Sequence, residues 1–268
     1  MQSRYRAGKR GIHSISTDSS RSDASALAGL ALLYPPDHRP SAEAVARLAG
    51  QVVPGTVPFA VTDGTPGTGA LELLAHGLTF DLEGLAPFPP APAPAIAYRY
   101  GLEPEFSTDS LAAIRLWPGP HLRGAERLLP VVRTLAGVAA VLTALPGLSA
   151  VVWTPARTAM SGDAFARAIA NWLAGGAFPA LGLTALATAA DGRLNSEGLR
   201  FFTGQEIVID PGIGRTSRDG ARIAVRLIDA LIGAEPVRTQ THFTGPDGEA
   251  LVADPAGDMG IVRISLAA

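Results

Sequence analysis

The chain contains 268 residues, of which 47% are hydrophobic and 17% charged, so it is long and apolar enough to bury a large core in one or two domains. Its formal net charge of −2 argues against a general nucleic-acid or anionic-membrane binder, and no apolar run convincingly resembles a membrane span. The absence of cysteine excludes disulfides, thiolate nucleophiles and cysteine-based metal sites.

The first predicted unit, residues 26–146, follows a basic and serine-rich segment. Residues 1–25 lack the apolar core of a secretory signal and are predicted to be a disordered leader, with a basic docking arm as the alternative. Ser41 is expected to cap a short helix at 42–48. Strands are predicted around this helix at 26–34, 57–62 and 70–82.

A proline-rich stretch divides this first unit. Residues 87–94 hold five prolines, which predict a stiff, extended and solvent-facing connector. A long apolar helix is expected at 121–144, with kinks at Pro130 and Gly137. Two strands are predicted between the connector and the helix, at 95–100 and 111–117.

The clearest secondary-structure signals in the sequence lie between residue 148 and residue 210. A short apolar run ends at Trp153 and a proline turn, which is typical of a buried strand. Ser161 is expected to cap the helix that follows, and Asp191-Gly192 is a strong turn signal. Three extended segments are predicted around this turn, at 181–189, 199–202 and 206–210.

These residues resemble a known family, the bacterial domain of unknown function 4261. In that family a strand ending in tryptophan precedes a helix, and a strand similar to Phe-Gly-x-x-Glu-Ile-x-Ile follows a β-hairpin. The matching residues here are Val151-Val152-Trp153 and the run from Phe202 to Ile209. The resemblance covers roughly residues 148–266, and more loosely the segment from residue 95. It implies a fold but no activity, because the family has none assigned.

The remainder of the chain is predicted as a helix at 217–232 and three strands joined by tight turns, at 237–243, 250–254 and 260–266. We therefore predict an α+β fold: a mixed or antiparallel sheet with helices packed on one face. The strand-proline-helix order near the start of residues 26–146 recurs in residues 147–268, which suggests two similar halves from an internal duplication. Chance recurrence of a common motif is the alternative.

A binding cleft is the first candidate site, predicted where the strands carrying Trp153 and Arg200 end. An indole beside a proline turn could line the mouth of a cleft, although a large aromatic side chain at a strand end more often closes a core. Arg200 would hold an anionic group by paired N–H bonds. Glu206 lies in an apolar strand nearby, either paired with Arg200 or as an exposed rung of the sheet.

A glycine-bearing loop is the second candidate site, because it joins a strand to a helix N-terminus, where free N–H groups favour anions. A loop that only begins a helix capped by Ser217 is the alternative. The candidate anion-binding residues are Gly212, Gly214, Arg215, Thr216 and Ser217.

No metal site or cofactor is expected, since the histidines lack ligand spacing, and no Gly-x-Ser-x-Gly elbow marks a serine hydrolase. The sequence favours a non-enzymatic protein-interaction or accessory module of the bacterial cytoplasm, associated with immunity or secretion. Its expected partner is another protein, and neither nucleic acid nor a membrane. The alternative is a nucleotide- or phosphate-recognising enzyme that uses the loop at 212–217.

Overall fold

The computed structural model describes residues 28–51, 55–65, 68–214, 216–257 and 260–267. The predicted leader, residues 1–25, lies outside the described residues. Within the described ranges the chain forms six α-helices and two mixed β-sheets, which confirms the predicted α+β fold.

The helices are α1 (Ala42–Ala49), α2 (Leu129–Leu142), α3 (Gly162–Leu173), α4 (Ala180–Leu183), α5 (Leu199–Thr203) and α6 (Ser217–Leu231). The first sheet contains β1 (Leu30–Tyr34), β2 (Ala60–Thr65), β3 (Ala70–Ala75), β4 (Leu78–Glu83), β5 (Tyr98–Tyr100), β6 (Ala112–Pro118), β7 (Ala150–Trp153) and β8 (Thr158–Met160). The second sheet contains β9 (Ala185–Thr188), β10 (Leu194–Glu197), β11 (Glu206–Ile209), β12 (Thr241–Thr244), β13 (Ala250–Pro255) and β14 (Ile261–Leu266).

The two sheets differ in size and share the same mixed character. Their strand orders are β2-β3-β4-β6-β1-β7-β8-β5 and β12-β13-β14-β11-β10-β9. The pairs β5–β8 and β11–β14 are parallel, and the other strand pairs are antiparallel. The predicted antiparallel pairing of the last three strands is confirmed.

One large core holds the helices and both sheets together. Alternate residues of a strand point to opposite faces, so Leu32 of β1 and Val151 of β7 face this core while their neighbours face away. Val45 of α1 and Phe165 of α3 are buried in the same core, together with Ile207 of the second sheet. The helices therefore lie on one face of the first sheet, as predicted.

The opposite face of the first sheet is covered by the proline-rich connector and the segment after it. This face presents small apolar residues such as Ala113 and Val152, which would otherwise meet water. Ala91 is buried against them, and its N–H donates to the carbonyl of Ala113 at 2.9 Å. Most of the connector faces solvent as predicted, and within residues 87–94 only Ala91 is buried, because an apolar sheet face requires a cover.

The first sheet continues across the predicted boundary between residues 146 and 147. β7 pairs with β1, with Leu32 opposite Val151, so strands from both predicted halves alternate in one sheet. The helices α1 and α3 do pack into the same core. However, the hairpin β2–β3 belongs to the first sheet and the hairpin β9–β10 to the second, so the internal duplication is not confirmed.

Three predicted elements take a different form. Residues 199–202 were expected to be extended but form α5, and the run at 181–189 begins with the short helix α4. The long helix predicted at 121–144 is limited to α2. Pro130 lies in the first turn of α2. Backbone N–H groups in a first turn have no partner within the helix, so the missing N–H of proline costs no hydrogen bond there.

Candidate functional site

A cleft of about 680 Å³ is lined by residues of both sheets. The first sheet and its connections contribute Ala28, Pro92, Ala93, Pro94, Ala95, Arg115, Arg127, Thr154, Pro155 and Arg157. The second sheet and α5 contribute Glu197, Gly198, Arg200, Phe201 and Glu206. Two of the three predicted cleft residues, Arg200 and Glu206, are therefore in its lining.

Trp153, the third predicted residue, lies beneath the cleft and not in its wall. Its side chain is only 2% exposed and packs edge-on against Phe201, with ring centroids 5.3 Å apart, and stacks on Phe202 at 6.1 Å. Core packing is thus the observed role of Trp153. The aromatic wall that was expected from its indole is supplied by Phe201.

Glu206 holds the start of α5 in place. Its carboxylate accepts the backbone N–H groups of Gly198, Leu199 and Arg200 at 2.9, 3.2 and 3.1 Å, and the hydroxyl of Ser196 also donates to it. A negative group at a helix N-terminus satisfies N–H donors that the helix cannot pair itself. Glu206 contacts the backbone of Arg200 and makes no ion pair with its guanidinium, contrary to one of the two expectations.

Arg200 itself is exposed at the cleft. One of its terminal nitrogens donates to the carbonyl of Gly260 at 3.0 Å, which fixes the side chain against the second sheet. The predicted position of this arginine at the rim is consistent with the structure. Gly198, the residue before α5, has a positive φ of 86°, and this turn leads into the helix that places Arg200 and Phe201 at the cleft.

A clasp that the sequence did not reveal joins the two sheets at one side of the cleft. Glu197 of β10 accepts Nε of Arg157 at 2.6 Å, a terminal nitrogen of the same guanidinium at 3.0 Å, and the hydroxyl of Tyr98 at 2.7 Å. We call these three residues the Glu197 clasp. The hydrogen bonds from Arg157 hold the pKa of Glu197 below its usual range, and the bond to Glu197 raises the pKa of Tyr98.

Arg157 has an unusual backbone conformation for an arginine. Its φ of 52° lies in the left-handed region, directly after the 3₁₀ turn Thr154–Ala156, where glycine would be the least strained residue. Among the described residues only His76 shares this property without being glycine, and His76 lies in the tight hairpin between β3 and β4. Backbone strain of this kind persists where surrounding contacts hold it, and the two hydrogen bonds from Arg157 to Glu197 are such contacts.

Two further arginines reach the cleft from separate elements. The guanidinium of Arg127 lies 5.6 Å from the centre of the Phe201 ring, and that of Arg115 lies 5.1 Å from the centre of the Trp117 ring. Arg115 is also 3.6 Å from a carboxylate oxygen of Glu83. The four arginines have no common spacing in the sequence, so no motif could have predicted that they converge.

The second candidate site, the loop at 212–217, does not line the cleft. Thr216, and not Ser217, is the N-cap of α6, and its hydroxyl accepts the N–H of Asp219 at 3.2 Å. The carboxylate of Asp219 accepts the N–H of Thr216 at 2.9 Å, so an internal carboxylate already occupies this helix start. Gly212 and Gly214 both have positive φ angles. Arg215 and the side chain of Ser217 lie outside the described residues.

A second cavity of about 760 Å³ lies beside the start of α2 and the end of α3, and most of its lining is apolar. Its one arginine, Arg133, stacks on Trp172 at 4.7 Å and donates to the carbonyls of Trp172 and Leu173. That guanidinium therefore serves the C-terminus of α3. The other polar side chains of the lining are those of Thr56, His76 and Thr134, and the hydroxyl of Thr134 already donates to the carbonyl of Pro130 at 2.9 Å.

No known family, no curated protein and no solved structure matches the chain. The resemblance to the domain of unknown function 4261 stays a prediction. Within the described ranges, no group of three or more histidine, aspartate or glutamate side chains is placed to hold a metal ion. In that same part of the chain no helix is both long and apolar enough to cross a membrane.

Proposed function

We propose that this chain is a non-enzymatic protein-interaction module that binds a segment of a partner protein in the cleft between its two sheets. The observation that carries the proposal is the composition of the cleft wall. Four arginines line the cleft together with Phe201 and a proline-alanine strip, residues 92–95. Arginine and aromatic side chains are the types enriched where proteins bind one another.

The proline-alanine strip is suited to a ligand that is itself extended. Ala93 and Ala95 are exposed, and in the described part of the chain no acceptor is assigned to either backbone N–H. Main-chain donors along an extended strip can bind the carbonyls of a second extended segment. Proline stands on both sides of Ala93 and directly before Ala95, which keeps the strip stiff, so little conformational entropy is lost on binding.

The two carboxylates of the cleft favour binding over catalysis. A general acid at neutral pH needs a raised pKa, whereas the pKa of Glu197 is lowered by the hydrogen bonds from Arg157. Glu206 is saturated by three backbone N–H groups and one hydroxyl. Both groups organise the cleft and leave its guanidinium groups as the parts that meet a ligand.

Selection of peptides from a displayed random library tests the proposal. The full chain is the bait, and Ala93→Trp is the blocked variant, because it adds an indole to the cleft from an exposed position. Ala170→Trp is the matched control: Ala170 is exposed on α3 and does not line the cleft.

Peptides enriched on the wild type and on Ala170→Trp, but not on Ala93→Trp, support the proposal. Equal enrichment on all three proteins would show that the cleft is not the binding site. Melting curves of both variants establish that each remains folded. The alternative of a phosphate-recognising enzyme gains no support from the loop at 212–217, whose helix start already holds a carboxylate.

A further inference from the structure

We infer that the cleft selects a segment carrying at least two carboxylate side chains, and that Arg115, Arg127 and Arg200 hold them. This inference rests on the proposed function and names the chemistry of the partner segment. The cleft lining carries four guanidinium groups against two carboxylates, a formal charge of +2. An acidic ligand removes this imbalance, and a neutral or basic ligand does not.

The positive charge belongs to specific arginines, because the two carboxylates of the lining are engaged elsewhere. Glu197 is bound by Arg157 in the clasp, and Glu206 is bound by backbone N–H groups at the start of α5. Neither Arg127 nor Arg200 has a carboxylate partner within 4.0 Å among the described residues. Arg115 has only the partly exposed Glu83, at 3.6 Å.

The three arginines are held in position without using up their donors. A guanidinium has five N–H donors, and Arg200 spends one of them on the carbonyl of Gly260. The guanidinium of Arg127 lies 5.6 Å from the centre of the Phe201 ring, and that of Arg115 lies 5.1 Å from the centre of the Trp117 ring, with Glu83 at 3.6 Å beside it. Such side chains lose little rotamer freedom when a ligand binds.

Carboxylates suit this arrangement better than a phosphate group does. Compact phosphate sites combine a cation with free backbone N–H groups, commonly at a helix N-terminus. The helix start in this cleft, α5, has its N–H groups bound to the carboxylate of Glu206. The remaining hydrogen-bond donors are three separate guanidinium groups: Arg115 on β6, Arg127 before α2 and Arg200 on α5. Separate guanidinium groups match separate carboxylates along a peptide.

Fluorescence anisotropy with defined peptides tests this inference. The probe is a labelled peptide of glutamates that alternate with proline and leucine, compared with the same peptide in which every glutamate is glutamine and with one carrying a single phosphoserine. The protein variants are Arg127→Gln and Arg200→Gln. The matched control is Arg167→Gln, since Arg167 is exposed on α3 and does not line the cleft.

The glutamate peptide should bind the wild type and Arg167→Gln alike, and each cleft variant should weaken it by about tenfold or more, the loss typical of a charged hydrogen bond. Binding should also weaken as salt rises, because Arg127 and Arg200 are exposed. Equal affinity for the glutamine peptide, preference for the phosphoserine peptide, or insensitivity to both cleft variants would overturn the inference.

The library selection separates failure of this inference from failure of the proposed function. Enriched peptides that lack aspartate and glutamate, yet fail to bind Ala93→Trp, would refute the carboxylate inference and leave the interaction module standing. Enrichment that ignores Ala93→Trp would refute the proposed function itself. Enriched peptides with acidic residues, lost on Ala93→Trp and weakened by Arg200→Gln, support both.

Discussion

At the scale of single residues, Trp153 contributes by the size of its rings and not by its polar atom. Its indole nitrogen is buried, and no hydrogen-bond acceptor meets it in the described part of the structure. The rings pack against Phe201 and Phe202, so their loss would leave a cavity directly under the cleft. Position 153 therefore requires a large aromatic ring and not a hydrogen-bond donor.

Trp153→Ala should lower the free energy of unfolding by about 3–5 kcal/mol, the usual cost of emptying a large aromatic site. Trp153→Phe should cost clearly less, because it keeps a ring and removes an N–H that has no partner among the described residues. Urea unfolding of both variants gives the comparison. Equal losses would mean that the indole N–H makes an essential bond.

The carboxylate of Glu206 stabilises the start of α5. Glu206→Gln leaves one acceptor oxygen in place of two, so some of the three backbone N–H groups and the Ser196 hydroxyl lose their partner. We expect a loss of about 1–3 kcal/mol in the free energy of unfolding. Glu105→Gln, at an exposed loop position, is the control and should change little. Equal stability of the two variants would contradict this capping role.

At the scale of elements, local signals predicted the helices that begin with their own caps. Ser41 and Ser161 accept N–H bonds at the starts of α1 and α3, as their positions in the sequence indicated. α5 was missed because its residues favour strands and its cap, Glu206, follows the helix in the sequence. Only part of the cleft was predicted. Arg127 and Arg157 were missed because they are distant from Arg200 in the sequence and meet it only in the folded chain.

The close contact between α2 and residue 57 gives a prediction at this scale. A Cβ on Gly137 would clash with a methyl carbon of Val57, so Gly137→Ala should destabilise the protein by about 1–3 kcal/mol, as overpacked sites do. Gly220 in α6 has room, since its nearest contact would be 3.4 Å away. Gly220→Ala should therefore stabilise by about 0.5–1 kcal/mol. Chemical denaturation of the pair checks both signs; a stabilising Gly137→Ala would contradict the contact.

At the scale of the whole molecule, the lowered pKa of Glu197 predicts that the stability contributed by the Glu197 clasp between the two sheets depends on pH. The folded pKa of Glu197 is lowered, so its contribution to stability is fully present above the unfolded pKa of about 4.3 and is lost as pH falls through the folded value. The raised pKa of Tyr98 makes stability depend on pH in the alkaline range. Its contribution is present below about pH 10 and is lost as pH rises through the folded value.

Glu197→Gln should therefore be less stable than the wild type by a constant amount near neutral pH. This difference should shrink as the pH falls below about 4, because the wild type loses its carboxylate there. Unfolding free energies measured across the acid range test the expectation. A difference that does not vary with pH would show that the charge of Glu197 does not stabilise the junction.

The central place of β1 in the first sheet has a consequence for the order in which the protein can be made. β1 is among the first described segments to leave the ribosome, but its partners are β6 and β7, with Leu30 opposite both Leu116 and Trp153. Until residue 153 is synthesised, a Leu-Ala-Leu-Leu-Tyr strand therefore lacks one neighbour. An unpaired apolar strand is a site for aggregation, and distant pairings form slowly. We therefore expect the nascent chain to be prone to aggregation between the emergence of β1 and that of β7.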